Sequence, residues 1–591
     1  MPLNQHLLQI MPIVAISILI LGGCKEASVV DEAPSYYQQI APILSVNCGS
    51  CHREGGMNSY ILFDDPDFSQ SISRSIAAAV EEGSMPPFYA EESAQCENRW
   101  GWKHDPRLSL EELDLISRWA AAGGPIGDPD TAAPVPAPPS FDLADVDLTL
   151  YPENPWTTVP FGEISDQFVC FSLDPQLEAD QWLEAFQVVP DELAVVHHVL
   201  VGIDRSGESA ELAGSDGTYD CFGGFGVDAQ FIGGWVPGSS PIEFPDYSAL
   251  RVSAESRLVL QMHYHMAAEA HTDATGLSLR WAEGTPVREA YLSLLGNAPQ
   301  RFIDGSGLQP GPNDSGSPSF FVPAGATDHT ETMYFEMPDM PRNALNFMVA
   351  NHMHYIGTDM RMWIERGPQS PTTDSACLLH TPSWDFDWQQ FYFYDASSGQ
   401  APAIYPGDKL WLECRFNNSL DNPGVLRALQ EAGLEQPQDI YLGDGSLSEM
   451  CIGVTGQVLD IKLRVEAESH SGEIDGEIAI PSAGLIAACH GPASLAIDDD
   501  GSVQGVAACG LEWQGTLLTQ EYQLTGSLPA GSPGAGEISM TIPGVEGSAD
   551  GNWTSSGSGG DSELSLNYSL SGSLAGISGN FEGTISVNAT P

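Results

Sequence analysis

Between residues 142 and 465, apolar and polar residues alternate in short runs separated by Gly, Pro and Asp, and sustained helical spacing is confined to 421–433. A two-residue period puts one face of each segment in a core, so this stretch is expected to be antiparallel β-sandwich architecture and the fold class mainly β. Leu345, Phe347, Val349 and Ile356 flank Asn351-His352-Met353-His354-Tyr355 with no Gly or Pro among them, which predicts one strand running through Ile356. On such a strand His352 and His354 share a face and Met353 and Tyr355 take the other. From 466 to 591 the composition turns to Gly, Ser and Thr with alternating Leu, Ile and Val, as in Glu563-Leu564-Ser565-Leu566-Asn567-Tyr568-Ser569-Leu570. That alternation predicts a β-rich accessory domain. Residues 33–129 differ: Ser109 to Gly123 has helical spacing, with Ser109 as cap and Glu111 and Glu112 in the first turn. Residues 130–141 form a stiff proline-rich linker.

The apolar run Leu7 to Leu21 is too short to span a bilayer and suits the apolar region of a signal peptide. Leu21-Gly22-Gly23-Cys24 resembles a bacterial lipobox, which implies a lipoprotein signal peptide over 1–23, cleavage before Cys24 and lipidation of its thiol. The absence of Lys and Arg ahead of the run departs from that pattern. The expectation is an exported body, lipid-tethered to the periplasmic face of a bacterial membrane or the cell surface. Eleven cysteines suit such an oxidising compartment. With 80 acidic against 21 basic residues the net charge is −59, which argues against nucleic acid and anionic membrane surfaces as partners. The charge itself reads as a solvated acidic coat.

Cys48-Gly49-Ser50-Cys51-His52 is the attachment pattern of a c-type haem: two thiols hold the ring covalently and His52 takes an axial position on iron. A bare pair of cysteines at this spacing also suits a redox disulfide or half a zinc site, and the abutting histidine favours haem. Gly83-Ser84-Met85-Pro86-Pro87 resembles the methionine loop of class I cytochromes c, which implies Met85 as second axial ligand and an electron carrier with no open position. Ile116 and Trp119 on the Ser109–Gly123 helix would face the haem side.

Of 14 histidines, six fall in three short strand-like clusters: His197 and His198, His263 and His265, His352 and His354. Imidazoles on one face share a metal ion readily, and hydrogen-bonded core histidines are the plainer reading of any single pair. His329, His380, His470 and His490 have no histidine nearby in sequence and are left as structural.

The order Val195-Val196-His197-His198-Val199-Leu200, Leu258-Val259-Leu260-Gln261-Met262-His263-Tyr264, Asn351-His352-Met353-His354, Ser448-Glu449-Met450-Cys451 resembles the copper type II, ascorbate-dependent monooxygenases, the family of the peptidylglycine and dopamine enzymes. The resemblance covers about residues 150 to 460. It implies two jelly-roll sandwiches, 142–296 and 297–465, and two copper ions per chain. One copper, an electron-transfer site, would be held by His197, His198 and His263. The other, the catalytic O2 site, would be held by His352, His354 and Met450, whose thioether favours Cu(I). His265, two residues past His263, is read as a neighbour outside the ligand set. The family pattern further implies a disulfide between Cys414 and Cys451. The reaction implied is insertion of one atom of O2 into an aliphatic C–H bond of a small-molecule substrate, with two electrons from outside. Animal relatives use ascorbate; here a periplasmic electron donor or ascorbate-like reductant is expected to act through the fused haem, which passes electrons to the His197 site. A non-catalytic copper- and haem-carrying electron-transfer or copper-binding lipoprotein would carry the same residues.

Where the peptidylglycine enzyme grips its substrate carboxylate with Arg, Asn and Tyr, this chain has Ala350, Ile452 and Val454, so peptidylglycine is not the expected substrate. Trp384-Asp385-Phe386-Asp387-Trp388 and Tyr392 are candidates to cap this region or simply to pack as aromatics. Cys489 and Cys509 are expected to pair within the accessory domain. Cys96, Cys170, Cys221 and Cys377 allow three pairings, of which Cys170 with Cys221 is favoured because both belong to the first sandwich.

Overall fold

The computed structural model describes residues 33–589 apart from 55–57, 59, 161–166, 266, 297–306, 313, 315–317, 341, 396–400, 444, 446, 466–467, 482–483, 499, 514, 528–534, 542–548, 557–562 and 575–576. The expected signal peptide and Cys24 lie outside the described residues. Among those described, no helix is long and apolar enough to cross a membrane.

The chain is mainly β, with its helices concentrated near the start: Tyr36–Ile40, Ala41–Asn47, Pro66–Ser71, Ser73–Glu81 and Leu110–Ala121. The last begins where its cap predicts. Ser109 Oγ accepts from Glu112 N at 3.3 Å and Glu112 Oε2 accepts from Ser109 N at 2.8 Å, closing a capping box. Ile116 and Trp119 are fully buried against Ile40, Leu44 and Ile76, and Trp119 Nε1 donates to Pro125 O at 3.0 Å.

The body is built on one ten-stranded sheet. Its path runs Leu148–Leu150, Gly276–Trp281, Gln181–Val189, Ser248–Val252, Arg288–Gly296, Ile452–Leu459, Ala344–His352, Phe391–Phe393, with two short strands added at the sides. Position 296, the expected boundary, is thus the end of a strand that pairs antiparallel with Ile452–Leu459 in a sheet common to both halves. A five-stranded sheet (Thr218–Asp220, Gln167–Leu173, Arg257–Tyr264, Val196–Asp204, Ala229–Trp235) shares a core with one half of it, through Phe171, Phe186, Leu250 and Leu260. A four-stranded sheet (His329–Glu336, Lys409–Phe416, Gly357–Glu365, Ala376–Thr381) shares a second core through Val349, Met360, Met362 and Leu412. Disulfides Cys170–Cys221 and Cys414–Cys451 lie within these layers.

One excursion was not legible in the sequence. Residues 88–107 leave the helical region and enter the second core, where Ala90 and Trp102 are buried, Trp102 stacks on Tyr394 with ring centres 5.0 Å apart, and Phe88 meets Tyr392 edge-on at 5.2 Å. Cys96 pairs with Cys377, joining positions 281 residues apart. That settles the two cysteines left unassigned.

The accessory region closes on itself. His470–Ile480, Leu485–Ile497, Ser502–Trp513, Thr516–Ser527, Ala535–Thr541, Ala549–Ser556, Glu563–Leu574 and Ile577–Ala589 pair in sequence order and the last returns to the first, giving an eight-stranded barrel. Leu564, Leu566 and Tyr568 point into a packed interior with Ile474, Leu495, Tyr522 and the Cys489–Cys509 disulfide, while Asn567 and Ser569 face out. This is the polarity of a barrel in water. It docks on the body through Val287, Ile461 and Ala508, with Thr519 Oγ1 donating to Val287 O at 2.6 Å. A Cβ at Gly510 would lie 1.7 Å from Pro286 O, so only glycine permits that approach.

The expectation of a single strand through Ile356 is corrected. The strand ends at His352, and Met353–Ile356 turn back, Gly357 N donating to His354 O at 3.3 Å. The backbone N–H groups of His354 and Ile356 go to the carboxylate of Glu449 and not to a neighbouring strand, which frees this stretch from the ladder.

Candidate metal centres

His197 and His198 are adjacent, so on a regular strand they would face opposite ways. The ladder between Val196–Asp204 and Arg257–Tyr264 breaks at this point: His263 pairs with His198 but Tyr264 pairs with Val196, leaving His197 as an extra residue in a bulge. A bulge turns successive side chains toward one side, and both imidazoles reach His263. Nδ1 of His263 lies 3.2 Å from Nδ1 of His197 and 3.5 Å from Nδ1 of His198. At bond lengths of about 2.0 Å, donors on a tetrahedral metal ion are about 3.3 Å apart, so the three nitrogens fit one ion. Burial pushes His197 and His198 well below the ordinary histidine range, with the neighbouring imidazoles adding to the effect, which keeps their lone pairs available. Phe168 stacks flat on His263, ring centres 4.2 Å apart, and fixes its plane.

His197 has neighbours on its other edge as well. Asp387 Oδ1 lies 3.8 Å from its Nε2, and His265, whose backbone N–H donates to Val195 O at 2.6 Å, has its ring centre 4.3 Å away. Asp387 is held by Arg427 at 2.6 Å. The charge of this carboxylate favours a proton on the Nε2 edge, while Nδ1 faces His263.

The second set gathers where the shared sheet ends. The rings of His352 and His354 are 5.1 Å apart and perpendicular. Gln389 Oε1 accepts from His352 Nδ1 at 2.6 Å and Ser448 O accepts from His354 Nδ1 at 3.0 Å, which directs both Nε2 atoms away from these partners as donors. Met450 is buried beside them, and its neighbour Cys451 is bridged to Cys414, as the resemblance implies. Glu449 is the hub. Its buried carboxylate accepts from the backbone of His354, from Met450 N at 2.9 Å and from Ile356 N at 3.3 Å. Burial pushes this carboxyl up to about 8, against the pull of those three N–H groups.

His198, His263, His352, His354 and Met450 line a single cavity of about 170 Å3. The aromatic segment flagged in the sequence spans both sets. Phe386 packs on His197 at 5.0 Å and on His354 at 6.2 Å, Trp384 Nε1 donates to His354 O at 3.0 Å, Asp387 faces His197, and Gln389 holds His352. No protein-family model matches the chain, and no curated protein matches it at a significant level. The assignment of both centres therefore rests on the side chains themselves.

In the helical region Cys48-Gly49-Ser50-Cys51-His52 caps the end of Ala41–Asn47, with Cys48 N donating to Leu44 O at 3.0 Å and His52 N to Cys48 O at 2.9 Å. Cys48 and Cys51 are free thiols, while the other described cysteines form four disulfides. His52 packs on Phe63 at 4.7 Å, and its Nδ1 is buried without a hydrogen-bond partner. Two unpaired thiols beside an imidazole suit a covalently held porphyrin. Met85 is exposed, in the turn after Ser73–Glu81, with its backbone N–H donated to Ala79 O at 3.2 Å. His329 and His380, left as structural, pair with Glu331 at 2.7 Å and Asp359 at 3.3 Å.

Asp387, Gln389 and Glu449 were not assigned roles from sequence. Glu449 stood inside the quoted motif, and a carboxylate directly ahead of the methionine and of the apolar strand Ile452–Leu459 was the available signal. Asp387 lay inside the aromatic segment flagged as a cap, without a role of its own, and Gln389 follows that segment with nothing local to announce it.

Proposed function

We propose that the chain is a copper-dependent monooxygenase that hydroxylates an aliphatic C–H bond of a small organic molecule, with electrons entering through a c-type haem on Cys48, Cys51, His52 and Met85. On this reading residues 33–129 are a class I cytochrome c domain and the two β units sharing the ten-stranded sheet are jelly-roll sandwiches. The carrying observation is that both histidine sets open on one cavity. Copper held there supplies one-electron chemistry with O2, which protein side chains alone do not perform. His197, His198 and His263 offer an all-imidazole donor set on two adjacent strands. His352, His354 and Met450 offer two imidazoles and a thioether, a softer set suited to the reduced ion that O2 requires. Gln389 and Ser448 O hold the proton on the non-coordinating nitrogen of His352 and His354, and the charge of Asp387 favours it on Nε2 of His197.

The test is metal content followed by oxygen uptake. Full-length protein should bind two copper ions and one haem, and should consume O2 in step with an organic substrate. Replacing His352 and His354 together by alanine should leave one copper ion and no coupled uptake. A full complement of copper in that double variant would overturn the assignment, and copper and haem without substrate-linked uptake would favour an electron carrier.

A further inference from the structure

The cavity between the two histidine sets carries information about what enters it. Phe225, Phe231, Trp235, Leu294, Ile452 and Val454 supply much of its wall. Among the described residues that line it there is no Asp, Glu, Lys or Arg. Apart from the histidines and Asn351 Oδ1, a buried acceptor without a hydrogen-bond partner, the polar side chains present turn their N–H groups to the protein. Gln261 Nε2 donates to Cys221 O at 3.1 Å, Gln389 Nε2 to Phe386 O at 2.9 Å, Gln390 Nε2 to Pro237 O at 2.8 Å, and Asn351 Nδ2 to Thr381 Oγ1 at 3.0 Å and Met360 O at 3.2 Å. Each of these amides helps build the wall and has its N–H groups turned to protein acceptors.

In the copper-free cavity a carboxylate, phosphate or ammonium group would lose its water and meet no counter-charge. An uncharged hydrocarbon surface would exchange water for aromatic and branched aliphatic contacts, at about 25 cal/mol per Å2 removed from water. Size points the same way. An apolar cavity of about 150 Å3 holds one benzene ring, and this one measures about 170 Å3.

We propose that the cavity takes an uncharged, apolar molecule of about one substituted aromatic ring, bound between the histidine sets with an aliphatic carbon toward His352, His354 and Met450. The choice of carbon rests on the oxygenase reading; the choice of ligand class rests on the cavity alone.

Full-length protein, copper-free and copper-loaded, is titrated calorimetrically at pH 7 with three probes of matched size: toluene, benzoate and benzylamine. Toluene should bind the copper-free protein at least tenfold more tightly than either charged probe, and should bind the copper-loaded protein as well. Val454→Phe, which fills the cavity, should abolish toluene binding without changing the copper content. Ala350→Arg, which adds a cation to the wall, should reverse the order and favour benzoate. Equal or tighter binding of benzoate or benzylamine by the unaltered copper-free protein, or no toluene binding, overturns the proposal whether or not either variant folds. Toluene binding by protein that takes up no copper upholds the ligand class and sinks the oxygenase; copper-loaded protein whose O2 uptake follows benzoate does the reverse.

Discussion

The two histidine sets solve the same problem in opposite ways. His197, His198 and His263 are placed by a sheet: a bulge in one strand and a regular neighbour bring three nitrogens together, and aromatic stacking fixes their planes. His352, His354 and Met450 come from places where regular structure stops, and they depend on a carboxylate, an amide, a carbonyl and a disulfide to hold them. A ladder is cooperative and costly to deform, whereas a site at a strand end can change shape by moving a few hydrogen bonds. The first arrangement suits a centre that keeps its geometry, and the second suits one that must admit a ligand.

The comparison can be broken outright at its central residues. His263→Ala removes the imidazole that faces both partners and should leave the first centre unable to retain its ion, lowering copper from two to one per chain by metal analysis while the second is kept. Glu449→Ala should fall almost as hard on the other side. It strands three buried N–H groups at about 1–3 kcal/mol each before compensation by water, so the melting temperature should drop by several degrees, with copper loss confined to the second centre. Glu449→Gln, which keeps one acceptor oxygen, should recover part of both losses.

Smaller changes sharpen the contrast. Met450→Leu keeps the packing and deletes the soft donor, so Cu(I) affinity at the second centre should fall while Cu(II) spectra of the first stay unchanged. Gln389→Ala and Asp387→Asn remove one orienting partner from each centre, and each should cost about 10–100-fold in affinity for its own ion. Equal effects of either substitution on both centres would contradict the division.

What the sequence disclosed follows from what each signal depends on. Period-two alternation is local, so the mainly β class was readable, as was the cap at Ser109. Cys170–Cys221 and Cys489–Cys509 were readable because their partners lie in one unit; Cys414–Cys451 came through the resemblance. The bulge was not visible, since two adjacent histidines look the same on a regular strand and on a kinked one. The end of the strand at His352 was missed because apolar residues continue to Ile356, and the competing partner, Glu449, lies almost a hundred positions away. Closure of the barrel was hidden for the same reason: alternation gives strands but not which first and last members meet.

The passage of residues 88–107 through the second core bears on how the protein can be cut. A fragment starting at residue 130 would remove Phe88, Ala90 and Trp102 from that core and leave Cys377 without its mate. The helical unit cannot swing on the proline-rich stretch alone, because it is sewn to the β body from within. If the helical unit carries the proposed haem, that haem is fastened to the β body, and trimming the unit off would damage the body too.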